Sequence, residues 1–70
     1  MILEKFGKKI KYLRLRLGIS QEELAFRCSL HRNYVSDAER GRRNVSLKAL
    51  EKFASGFDIT VSELLEWGNE

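Results

Sequence analysis

The apolar positions of this chain keep helical register for most of its length. Leu3, Phe6, Ile10, Leu13 and Leu17 recur at spacings of three and four, which predicts a first helix with one apolar stripe, ending at Gly18. Ile19 then packs under the turn. Ser20, followed three residues on by Glu23, is a capping-box signature: the hydroxyl takes an exposed amide at the helix start and the carboxylate reaches back to the Ser20 amide. The helix it opens carries Leu24, Ala25 and Cys28 on one face, and the small Ala25 lets a second helix approach closely. A third helix is predicted from about Arg32 to Arg40, with Val35, Ala38 and also Tyr34 turned inward and Gly41 closing it in a left-handed cap. Ser46 is the N-cap of a fourth helix, whose Leu47, Leu50, Phe53 and Ala54 face the core and whose end is marked by Gly56. Thr60 with Glu63 is a second capping box, starting a short fifth helix that holds Val61, Leu64, Leu65 and Trp67. No strand is predicted. Val45 and Ile59 are isolated β-branched residues in connections and read as plugs for the core.

An all-α domain spanning residues 1–70 follows, too small to be comfortably stable alone. A chain of this length hides only about 60% of its unfolded surface, so dimerisation would help. The sequence has no proline, no low-complexity run and no repeat, and hence no expected linker or second domain. Its apolar runs are far short of the roughly 20 residues that span a bilayer, and Met1-Ile2-Leu3-Glu4 does not begin a signal peptide; a cytoplasmic protein without a membrane partner is expected.

The inventory for catalysis is poor. One histidine, one cysteine and carboxylates scattered over capping and surface positions give no nucleophile–base pair, no paired acids and no metal cluster. Neither an enzyme nor a cofactor is expected. Cys28, on the apolar side of its helix, reads as a buried structural thiol. The run Gly41-Arg42-Arg43-Asn44 follows a helix and lacks P-loop spacing, so it reads as a helix cap with a basic loop behind it.

Charge changes the picture more by distribution than by amount. The net value is only +3, yet residues 1–48 hold twelve lysines and arginines against five acidic residues, while residues 49–70 hold one against five. Such a chain is electrically two-faced, with a basic part that can neutralise phosphates and an acidic part held away from them. Between these, residues 20–41 read as two helices joined by a tight turn, the geometry that places one helix in the major groove of DNA. The helix-turn-helix spans about residues 21–40. The outward face of its second helix would carry Arg32, Asn33, Ser36 and Asp37, all able to hydrogen-bond base edges. For Asp37 two readings stand level: accepting from a cytosine amine, or repelling phosphates. Gln21 at the start of the helix that Ser20 opens, and Arg42 and Asn44 in the loop after Gly41, suit backbone phosphates. His31, a poor cap by type, can donate to a phosphate, and Tyr34 stands beside it as a further backbone contact.

Gln21, Leu24, Ala25, Cys28, Val35, Glu39, Gly41 and Ser46-Leu47-x-x-Leu50 together resemble the helix-turn-helix domains of the lambda-repressor type, the Cro/repressor-like family, over roughly residues 2–67. Arg32-Asn33-Tyr34-Val35-Ser36, with Glu39-Arg40 and Arg43-Asn44, is similar to the controller proteins of restriction–modification systems. The resemblance implies a five-helix domain that binds double-stranded DNA as a homodimer on an operator with two half-sites and regulates transcription, with RNA polymerase as a further partner. It also implies an ion pair between Arg14 and Glu39, against the simpler pairing of Glu39 with Arg43, and a base contact from Arg43, where composition alone allows a phosphate contact. Ala38 departs from the family's larger aliphatic residue, leaving space for Tyr34, Phe53 or the stem of Arg14. A dimer interface is expected on the fifth helix through Leu64, Leu65 and Trp67, unless Trp67 folds back onto Phe57 of its own chain. An antitoxin-type repressor shares the same chemistry, and a helical protein-interaction module that does not bind DNA is the alternative of a different class.

Overall fold

The computed structural model describes residues 1–67, the last three positions of the expected domain lying outside the described residues. It is helical there, with α1 (Ile2–Leu17), α2 (Gln21–Cys28), α3 (Arg32–Glu39), α4 (Leu47–Phe57) and α5 (Val61–Leu64) in chain order. α1 packs on α3, α2 lies against both α3 and α4, and α4 carries α5. Phe6, Ile10, Leu24, Val35, Phe53 and Leu64 are buried at the centre. Each contributes about 1.5–3 kcal/mol of transfer free energy. Phe6 meets Phe53 edge-to-face, with ring centroids 5.7 Å apart.

Local signals decide most of the ends. Ser20, Ser46 and Thr60 each accept the backbone N–H of the residue three positions on. At Thr60 the return bond from Glu63 completes a capping box. At Ser20 it does not form: the Glu23 carboxylate pairs instead with Arg27, 3.1 Å away on the next turn. At the C-termini of α1, α2 and α4, the residue after the left-handed one returns its N–H to a carbonyl one turn back. Those returning residues are Ile19, Leu30 and Ile59, and each tucks its side chain against the core.

Three expectations about packing need correction. Gly56 does not end α4, which continues to Phe57 with Asp58 in the left-handed conformation (φ 60°). The glycine serves an approach: a β-carbon there would lie 2.3 Å from the Cys28 sulfur on α2. Leu47 faces solvent at 84% exposure, and Ala49 takes the core position instead, since the helix starts at Leu47 and its inward stripe falls one residue pair later. Leu17, in the last turn of α1, runs past the core and is half exposed. Gly7 lets α1 approach the backbone of α3 closely, since a β-carbon there would sit 2.5 Å from the Ala38 carbonyl oxygen. Ala38 itself is buried on the inward side of α3.

Candidate nucleic-acid interface

α3 opens at His31. Its Nδ1 accepts the Asn33 amide at 3.1 Å, so the histidine does cap the helix, contrary to the expectation from its type. The remaining hydrogen of the neutral ring lies on Nε2 and is available to an acceptor. The other end closes at Gly41 (φ 71°), where the Gly41 and Arg42 amides return to Ala38 and Asp37 at 3.0 and 2.9 Å. Between these ends Val35 and Ala38 face inward, Arg32 and Asn33 are exposed, and Ser36 and Asp37 are half-buried.

The helix is fixed to the scaffold through Glu39. Arg14 donates from Nε to Oε2 at 2.6 Å and from Nη2 to Oε1 at 3.1 Å, and its Nη1 donates to the Ile19 carbonyl at 2.9 Å. The pair is nearly dry, with side-chain exposures of 12% and 4%. Hydrogen bonds from the guanidinium to Glu39 hold Arg14 above its usual range, against the opposing effect of burial. Gln21 donates its amide to the same Glu39 oxygen at 3.0 Å. The Gln21 side chain, expected on a phosphate, is therefore partly committed inside the protein. The free backbone amides of α2 remain to meet an anion there.

Asp37 and Arg43 are also paired. Arg43 Nη2 donates to Asp37 Oδ2 at 3.2 Å, and the guanidinium lies 4.3 Å above the centre of the Tyr34 ring. Tyr34 is half-buried against Phe53, and its hydroxyl accepts the Ser46 amide at 3.3 Å, which ties the base of α4 to α3. Arg42 and Asn44 are exposed in the loop, as is Arg40 at the helix end. Arg40 and Arg42 have no ion-pair partner among the described residues. Arg40, part of the family pattern, has no contact role assigned from the sequence, although its place beside the Gly41 cap marks it. Phe26 escapes the sequence altogether, 85% exposed beside His31, Arg32 and Asn33. It falls two residues from Leu24 and hence on the opposite face of α2.

At the far end of the molecule the expected interface changes composition. Leu64 is fully buried within its own chain, because the capping box turns that face of α5 into the core. α5 ends at Leu64, and Trp67 lies beyond it, half-buried against the core of its own chain. Leu65 is 40% exposed, and a groove between α4 and α5 is lined by Leu47, Leu50 and Val61 with Lys48 and Glu51.

A polar helix face offered by a tight two-helix unit, braced from behind by a dry ion pair, defines a helix-turn-helix protein. The Helix-turn-helix family model matches residues 10–64, and the chain belongs to that family. It is 48% identical to the control protein C.BamHI of Bacillus amyloliquefaciens over 63 residues, covering 89% of this chain and 78% of that protein. It is 49% identical to the control protein C.MunI of Mycoplasma sp over 61 residues, 86% and 82% of the two chains. Among solved structures, the restriction–modification controller protein C.AhdI from Aeromonas hydrophila superimposes with a TM-score of 0.85 at 50% identity, over 89% of this chain and 94% of that one.

Proposed function

We propose that this chain is the controller protein of a restriction–modification system, a cytoplasmic transcriptional regulator that binds DNA sequence-specifically and no cofactor. The observation that carries this reading is the face of α3. Arg32 and Asn33 stand exposed at its leading end, and Arg40, Arg42 and Asn44 surround its trailing end. Arg32 is placed to read guanine O6 and N7, Asn33 and Ser36 meet neighbouring base edges, and Arg42 and Asn44 grip phosphates together with His31 and the Tyr34 hydroxyl. The acidic segment after residue 48 keeps the opposite end off the duplex.

The protein acts as a homodimer joined across the α4–α5 groove. A two-fold axis there sets two copies of α3 about 34 Å apart on an inverted repeat, one helical turn between half-site centres. Regulation follows from occupancy near a promoter, where the bound dimer blocks RNA polymerase or touches it favourably. The test is to sequence the duplexes retained by the purified protein from its own promoter-proximal DNA and to titrate binding with salt. An inverted repeat bound with a steeply falling affinity is expected. Binding with neither sequence preference nor salt dependence would return the chain to a protein-docking role.

A further inference from the structure

Asp37 lies one helical turn beyond Asn33 on the same outward face of α3, so it occupies a position from which a side chain reaches a base edge. A carboxylate is a poor group to leave free there, since it faces a polyanion. In this chain it is not free: it holds Arg43 at 3.2 Å, and the guanidinium is laid over the Tyr34 ring at 4.3 Å. Tyr34 is itself immobilised by Phe53 beneath it and by the Ser46 amide at its hydroxyl. The Arg43 Nε is shielded and makes no hydrogen bond, so the guanidinium is held by the carboxylate on one side and the ring below. Only one guanidinium hydrogen is used by Asp37, and the side chain is still 40% exposed. Hydrogens on Nη1 and Nη2 remain for an acceptor.

We infer that Asp37 is the positioning residue for Arg43, holding the guanidinium on the Tyr34 face as a pre-oriented reader of a base edge. This rests on the DNA-binding reading above. The carboxylate offsets the charge of Arg43, so the pair adds little to phosphate neutralisation; its value lies in direction. An arginine loose in the loop would instead seek phosphates, which raises affinity for every sequence equally. Arg40 and Arg42, exposed and without an ion-pair partner among the described residues, are the phosphate-seeking side chains of this segment.

Duplexes selected from a randomised pool by the full-length protein supply the cognate site, and a scrambled duplex supplies the reference. Asp37→Ala should bind the scrambled duplex more tightly, steepen the log–log salt dependence by about one unit, and lower the cognate-to-scrambled ratio by roughly tenfold. Asp37→Asn, which keeps the shape and removes the charge, should do the same with an unchanged unfolding midpoint. In an Arg43→Ala background, Asp37→Ala should leave the ratio where Arg43→Ala alone puts it. An equal loss in both backgrounds would mean that Asp37 reads a base itself, and no loss in either would make the pair mere surface; each overturns the inference. A wild-type protein that selects no sequence overturns both the inference and the reading beneath it, and only that outcome touches the latter.

Discussion

Arg14 of α1 grips Glu39 of α3 through two guanidinium nitrogens, 2.6 and 3.1 Å from its oxygens, with Gln21 of α2 donating to the same carboxylate. Three helices therefore meet at one buried charge. Removing a single partner of such a pair costs about 3–5 kcal/mol, because the other is left unmatched, while replacing both by apolar residues is often neutral. Arg14→Leu and Glu39→Leu should each destabilise the protein more than the double variant does. A double-mutant cycle by denaturant unfolding measures this, and additive losses would contradict it.

Cys28 of α2 packs directly against Gly56 of α4. A glycine inside an exposed helix normally gains about 0.5–1 kcal/mol on change to alanine, but here the new β-carbon would lie 2.3 Å from sulfur. The clash decides the sign: Gly56→Ala should lower stability by about 1–3 kcal/mol. Adding Cys28→Ala should recover only part of the loss, because the Cys28 backbone also stands within 3.3 Å of that carbon.

The same thiol gives the fold an alkaline limit. Burial pushes Cys28 up to about 11, beyond the opposing pull of Arg27. The folded chain then keeps its proton while the unfolded chain, with an ordinary thiol, loses it. This contribution to stability is full below about pH 9 and falls as pH rises toward 11. Unfolding midpoints compared with Cys28→Ala across that range should converge as pH rises, and a constant difference would refute the argument. Alkylation of the native protein at pH 8 should also be slow.

How far the sequence discloses this molecule depends on whether a signal is local. Ser20, Ser46, Thr60 and Gly41 mark helix ends because the groups they satisfy lie within a turn, and Val45 and Ile59 plug the core as isolated β-branched residues do. Gly56 misleads because its reason, the Cys28 sulfur, lies in another helix. Leu47 and Ala49 exchange roles because a leucine at the first helical position has no neighbour to cover it. Arg14 with Glu39 comes from family resemblance, since nothing in the spacing of residues 25 apart joins them. The Asp37–Arg43 pair, bridging a helix and the loop behind its cap, escapes both periodicity and resemblance.

His31 caps α3 through a ring nitrogen, an acceptor only while unprotonated. Replacement by alanine should therefore cost about 1 kcal/mol, and by serine or aspartate recover it. DNA affinity separates capping from phosphate contact. If the imidazole also donates to the backbone, His31→Ser should restore thermal stability but not full affinity, whereas complete recovery of both would reduce its role to the cap alone.

Leu47, in the α4–α5 groove, and Leu65, just after α5, are 84% and 40% exposed, while Leu64 is fully buried. The three leucines should therefore fail in different ways. Changing Leu47 and Leu65 together to serine removes apolar surface that a lone subunit leaves in water, so the folded monomer should keep its unfolding transition at low concentration. If the proposed dimer forms across this groove, the parent should sediment as a dimer and the variant as a monomer at the same concentration, and the variant should bind an inverted repeat far more weakly, having lost the linkage between half-sites. Leu64→Ala should instead open a cavity and cost about 2–5 kcal/mol of folding stability, with dissociation following only as a consequence. An intact dimer in the serine variant would move the two-fold axis away from this groove, and with it the expected spacing of the operator.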